Sequence, residues 1–163
     1  MQWSKLRVHL LEFVAPSVRK RIDFHLITYR KLSEHANEFL VTIDGEKVFS
    51  ASTSRHNIAL YVETRTTGLL AYGDGPDPKK VEDSLTQREV HAPTDITSSI
   101  RTYFDIDPHL APSSSDPILK ALAMIDRRIG KRTLKAIELT DNEHSLVKTL
   151  YSLRMESSDE SPE

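Results

Sequence analysis

The stretch "FLVTIDGEKVFSA", residues 39–51, decides the fold. It holds two runs of β-branched and aromatic residues, "FLVTI" at 39–43 and "KVFSA" from Lys47, with Asp44-Gly45 between them. Asp-Gly between apolar runs marks a tight hairpin, because glycine takes the positive φ that the turn needs. Just upstream, "RIDFHLITYR" at 21–30 has the composition of a third strand. Side chains alternate along a strand, so Ile22, Phe24 and Leu26 face one way and Asp23, His25, Ile27 and Tyr29 the other. The three strands read as an antiparallel meander.

Outward from the meander the pattern turns helical. Trp3, Leu6, Leu10 and Phe13 recur at helical spacing, predicting a helix over 3–14 that Pro16 ends. Residues 56–72 carry two patterns. Ile58, Tyr61, Val62 and Arg65 fit helical spacing, while the threonines and Val62 favour a strand; the helical spacing is the reading adopted. "GDGPDPKK" at 73–80 reads as a loop, and a place where the domain could subdivide. Thr94 is positioned to cap a helix running to about Phe104. Asp116 is placed as N-cap and Pro117 as first residue of a central helix over 117–129, which Gly130 breaks or bends. Thr140 and Glu143 match a capping box ahead of a last helix carrying Leu146, Val147, Leu150 and Leu153. The tail at 156–163 is acidic and apolar-free, and is expected to be disordered. The sum is one α+β domain over 1–155. The sheet packs against the N-terminal helix and a helical C-terminal half.

Composition narrows the chemistry. The chain has 163 residues and no cysteine. A disulfide framework, a thiolate metal site and a cysteine nucleophile are therefore excluded. The seven histidines are scattered, with no HxH or HExxH, and five glycines form no phosphate-binding loop. There is no GxSxG. No metal and no cofactor is expected. No apolar run approaches the roughly 20 residues of a membrane span, so a cytoplasmic protein is expected.

Charge is laid out in blocks. Counting Lys and Arg against Asp and Glu, residues 1–31 sum to +5, 32–118 to −7, 119–135 to +5 and 136–163 to −5. Two basic segments flank an acidic middle. They either face that middle in the fold or share a surface that binds anions. The denser segment lies in "AMIDRRIGKRTLKAI" at 123–137, with Arg127, Arg128, Lys131, Arg132 and Lys135. The other is "SVRKR" at 17–21, with Arg19, Lys20 and Arg21. A solvated helix end, a dock for an acidic protein and a phosphate-binding surface all fit this pattern. No aromatic residue is interleaved for base stacking, and no helix-turn-helix, zinc-finger or RRM pattern occurs.

A third reading uses the first strand. Asp23, His25 and Tyr29 share a face, and an Asp–His pair can orient an imidazole for proton transfer. With Arg21 or Arg30 at the rim, those residues would suit a hydrolase or nuclease. Polar strand faces carry the same residue types without any catalysis.

Several blocks together resemble a family of small bacterial proteins of uncharacterised function. These are "WSKL" at 3–6, "APSVRKRIDFHLITYR" at 15–30, "VTIDGEKV" at 41–48, "DPILKALAMIDRRIGKRTL" at 116–134 and "HSLVKTLYSLR" at 144–154. Residues of about 50–112 are not matched. The resemblance implies a bacterial, cytoplasmic, single-domain protein and brings no activity. The leading expectation is a non-enzymatic accessory or regulatory protein that binds another macromolecule through its basic surface. A nucleic-acid-binding protein using 127–135 comes second, and the hydrolase third.

Overall fold

A computed structural model describes residues 2–31, 36–66 and 78–157. Its sheet is the expected antiparallel meander. Strands β1 (Ile22–Thr28), β2 (Asn37–Ile43) and β3 (Glu46–Ser52) lie in the order β1-β2-β3. At the turn Asp44 and Gly45 both take positive φ, 53° and 84°, as a two-residue hairpin turn of this type requires. Phe24 pairs with Val41 and Val41 with Phe49, which puts the apolar residues on one buried face. Between Val41 and Thr42 the register slips. Val48 is the extra residue of a bulge and turns outward at the β3 edge.

Among the described residues eight α-helices accompany the sheet. They are α1 (Trp3–Phe13), α2 (Pro16–Arg19), α3 (Thr53–Thr66), α4 (Pro78–Gln87), α5 (Pro93–Asp105), α6 (Pro117–Ile125), α7 (Lys131–Lys135) and α8 (Ser145–Glu156). The architecture is α+β. Leu6 and Leu10 of α1, the inner sheet face, Ile96, Ile100 and Tyr103 of α5, and α8 enclose α6. Seven of the nine α6 residues are buried, so this helix is central, as expected. A second, smaller core joins Ala59 of α3 to Val81, Leu85 and Val90.

Several boundaries differ from the sequence reading. Pro16 does end α1, but it also opens α2 at the first helical position. α6 stops at Ile125, not Ile129, and the break is not at Gly130. Asp126 turns extended there because it bridges to Val14: Ala15 N–H donates to Ile125 C=O (2.7 Å) and Arg127 N–H to Phe13 C=O (2.8 Å). α5 starts at Pro93 behind Ala92, so Thr94 is not its cap. The expected capping box is absent; His144 caps α8 through its ring, and Glu143 pairs with Lys120 instead. Residues 78–80 open α4, a helix the sequence reading missed, rather than ending a loop. The remainder of that loop, 73–77, lies outside the described residues, as does 67–72 at the end of the helix expected over 56–72. α8 runs through Glu156, and Ser157 is buried; 158–163 lie outside the described residues. Among the described residues no helix is long and apolar enough to cross a membrane.

Candidate functional site

The basic residues divide into two sets. Arg128 is tied down. Its guanidinium donates to both oxygens of Asp126, at 2.6–3.1 Å, and lies over the Phe13 ring at 4.1 Å. The Asp126 side chain is fully buried and also accepts from Tyr103 Oη at 2.6 Å and from Arg128 N–H at 2.7 Å. Burial, and then the Asp126 carboxylate beside it, push the Tyr103 hydroxyl well above its ordinary range. This knot fixes the loop that ends α6. Arg21 is engaged too, its guanidinium forked onto Asp44 at 2.7–3.1 Å beside the hairpin turn. Lys131 donates to the carbonyl of Ser157.

The other set is open. Arg19, Lys20, Arg127, Arg132 and Lys135 are exposed, and none has a side-chain hydrogen bond or ion pair among the described residues. The chain brings most of them to one end of α8. Ser157, just past that helix, accepts from Lys131 at the start of α7 and meets Ser17 of α2 through their hydroxyls at 3.1 Å. Arg154 of α8 donates to the same Ser17 at 2.5 Å. So α2 and α7, far apart in sequence, converge on the C-terminal end of α8. Arg127 sits a step away beside Phe13, across the Val14–Asp126 bridge.

The strand residues are placed differently. Asp23 accepts from Arg7 on both oxygens, at 2.9 and 2.5 Å, and from Phe24 N–H at 2.7 Å. Burial alone would raise its carboxyl, but these donors, the Arg7 hydrogen bond foremost, hold it below the usual carboxylate range. Arg7 also donates to Phe24 C=O, closing the β1 edge against α1. His25 lies 3.7 Å from Asp23 and 3.3 Å from Thr42 Oγ1. Asp23 is thus occupied by Arg7 and orients that guanidinium rather than the imidazole. Tyr29 is apart from both, donating to Glu38 at 2.7 Å, and the carboxylate raises its hydroxyl above the ordinary value.

The sequence reading missed a third cluster. His91 and His144 face each other at the joint of the two cores, Nε2 to Nε2 at 3.0 Å, with Phe49 beside both rings. Burial, and then the charge each would impose on the other, push His91 down to about 4; burial lowers His144 as well. Glu89 completes the joint. Its carboxylate accepts from Ser145 N–H and Oγ at the start of α8, both at 2.5 Å. Its backbone is left-handed, at φ 54°, where α4 ends with Val90 N–H on Leu85 C=O and Glu89 N–H on Thr86 C=O. That is the position where glycine is the usual residue. Among the described residues no three of the His, Asp and Glu side chains are grouped to hold a metal ion.

A family model matches residues 2–155. The chain belongs to the SF0329 protein family. The family is uncharacterised and carries no activity to this member. No curated protein and no solved structure matches the chain. Function in this SF0329 member therefore rests on its own side chains. The open basic set was visible as a charge run, but its division from Arg128, Arg21 and Lys131 was not. The His91–His144 pair joins residues 53 apart, and no local spacing announces it.

Proposed function

We propose that this protein is a non-enzymatic accessory or regulatory factor of the bacterial cytoplasm that binds an acidic protein segment. The binding surface is the end of α8 flanked by α2 and α7, with Arg19, Lys20, Arg132 and Lys135 on it and Arg127 at its margin. The convergence of α2 and α7 on Ser157 carries this reading, because it gathers Arg19 and Lys20 with Arg132 and Lys135, four cations without a carboxylate partner among the described residues. Unneutralised like charges held together raise the local potential and favour an anionic partner.

Geometry favours protein over nucleic acid as that partner. α7 has five residues, so it is about 7.5 Å long and too short to read a groove. Phe13, the aromatic side chain beside Arg127, stacks on Phe104 and lies under Arg128, so it offers no face to a base.

Fluorescence anisotropy tests the proposal directly. A labelled 20-residue Glu/Asp-rich peptide, duplex DNA, single-stranded DNA and RNA are titrated with the full chain across a salt series. Saturable peptide binding, at least tenfold tighter than any nucleic acid at physiological salt, is expected. Tighter binding to duplex DNA, with a log–log salt slope near −0.9 per phosphate contacted, would replace the protein partner with nucleic acid. No binding of any probe at low salt would overturn the surface altogether.

A further inference from the structure

A cleft of about 350 Å³ opens beside the His91–His144 pair, between α4 and the first turns of α5 and α6. Glu82, Asp83, Asp95 and Asp116 line it together with His56, and among the described residues no lysine or arginine does. Asp116 is occupied, accepting from Ile118 N–H at 2.8 Å and Ser99 Oγ at 2.6 Å. Glu82, Asp83 and Asp95 are exposed and have no side-chain hydrogen bond or ion pair among the described residues. The cleft shares His56, Glu82, Leu85 and Asp95 with an adjoining, mostly apolar cavity of about 400 Å³, which Leu60 and Val81 also line.

A second observation is independent of those carboxylates. His144 Nδ1 accepts from Leu146 N–H at 3.1 Å, so in the neutral ring the proton sits on Nε2. That proton is donated to His91 Nε2 at 3.0 Å. Neutral His91 must then carry its own proton on Nδ1. His91 is nine-tenths buried and forms part of the cleft wall, and its Nδ1 has no hydrogen bond among the described residues. A donor with no protein acceptor among the described residues thus belongs to a side chain on the wall of a cleft that three free carboxylates line.

We propose that this cleft binds a small amphipathic amine: an ammonium group beside an oxygen acceptor, on an apolar arm. The ammonium lies among Glu82, Asp83 and Asp95. The oxygen accepts from His91 Nδ1–H, and the arm enters the cavity lined by Leu60, Val81 and Leu85. A low-dielectric wall behind three unpaired carboxylates concentrates their field on a cation. The carboxylates are not grouped closely enough to hold a metal ion, and the apolar cavity beside them suits an organic cation.

The test is a titration of the full ¹⁵N-labelled chain with four probes at constant ionic strength: 1-amino-2-hexanol, hexylamine, hexanol and hexanoate. Both amines are expected to bind saturably, with shifts centred on Leu60, Val81, Leu85 and His91. The amino alcohol should also move the ring Nδ1 signal of His91. Hexanol and hexanoate should bind at least tenfold more weakly. In the Glu82→Gln/Asp95→Asn variant, two exposed changes that leave the cores intact, the amine Kd should rise at least tenfold. The site is ruled out by hexanol or hexanoate binding as well as hexylamine, by unchanged amine affinity in the variant, or by shifts scattered over other acidic stretches.

Discussion

Arg127 and Arg128 are adjacent in the chain and opposite in role. Arg128 is forked onto a buried carboxylate and stacked over Phe13. Arg127 uses only its backbone, and its side chain is left in solvent. The same division separates Arg21, held by Asp44, from Arg19 and Lys20 just before it. A run of cations is therefore not one feature. The carboxylate that folding brings to each decides whether it holds the fold or is free to meet a partner.

The largest expected effect lies on the tied side. Asp126→Ala strips a fully buried carboxylate from Arg128, Tyr103 and a backbone N–H, and should cost about 3–5 kcal/mol in urea unfolding. A loss under 1 kcal/mol would dissolve the distinction between the two sets. Leu122→Ala sets the scale for packing alone, since it opens a cavity in the central helix, and should cost about 2–5 kcal/mol. At the other extreme Arg127→Ala should stay within about 0.5 kcal/mol of the wild type.

The parts of this picture that were legible in the sequence are local. Asp44-Gly45 carries its own conformational demand, so the hairpin and the meander could be read directly. Asp116-Pro117 likewise announced the start of α6, and the cap is where it was expected. The end of α6 could not be read, because Val14 imposes it through a bridge from the far end of the chain. In α3 the spacing of Ile58, Tyr61 and Val62 revealed the helix, yet those residues are exposed while Ala59 faces the small core. Periodicity reports a helix but not which neighbour it meets. For the candidate site, the basic residues were visible and their partners were not, since each partner is a tertiary contact. Asp23 does lie 3.7 Å from His25, its expected companion, but its hydrogen bonds go to Arg7, on another element.

The His91–His144 pair offers an intermediate effect and a third case of partners deciding role. His91 is held near 4 in the folded chain against about 6.5 when unfolded. Between those values the unfolded chain binds a proton that the native ring refuses, so stability rises with pH across the window and is lost on acidification. The slope from this group approaches about 1.4 kcal/mol per pH unit. Glu89 and Asp23, held below their ordinary range, add acid sensitivity of the same sign at lower pH. Unfolding midpoints at pH 5.0 and 6.5 should therefore differ more in wild type than in His91→Gln. Equal pH dependence in the two would show that the pair does not resist protonation.

The open and tied cations have separate jobs, and one paired measurement tests that division. Affinity for the labelled acidic peptide and stability in urea are read together on two variants. One carries alanine at Arg19, Arg127, Arg132 and Lys135, and the other at Arg21 and Arg128. The first should lose at least tenfold in affinity with its urea midpoint unchanged. The second should lose stability, while its folded fraction keeps affinity within about threefold of wild type. Full affinity in the first variant, or a binding loss confined to the second, would show that the exposed cations are not the binding set.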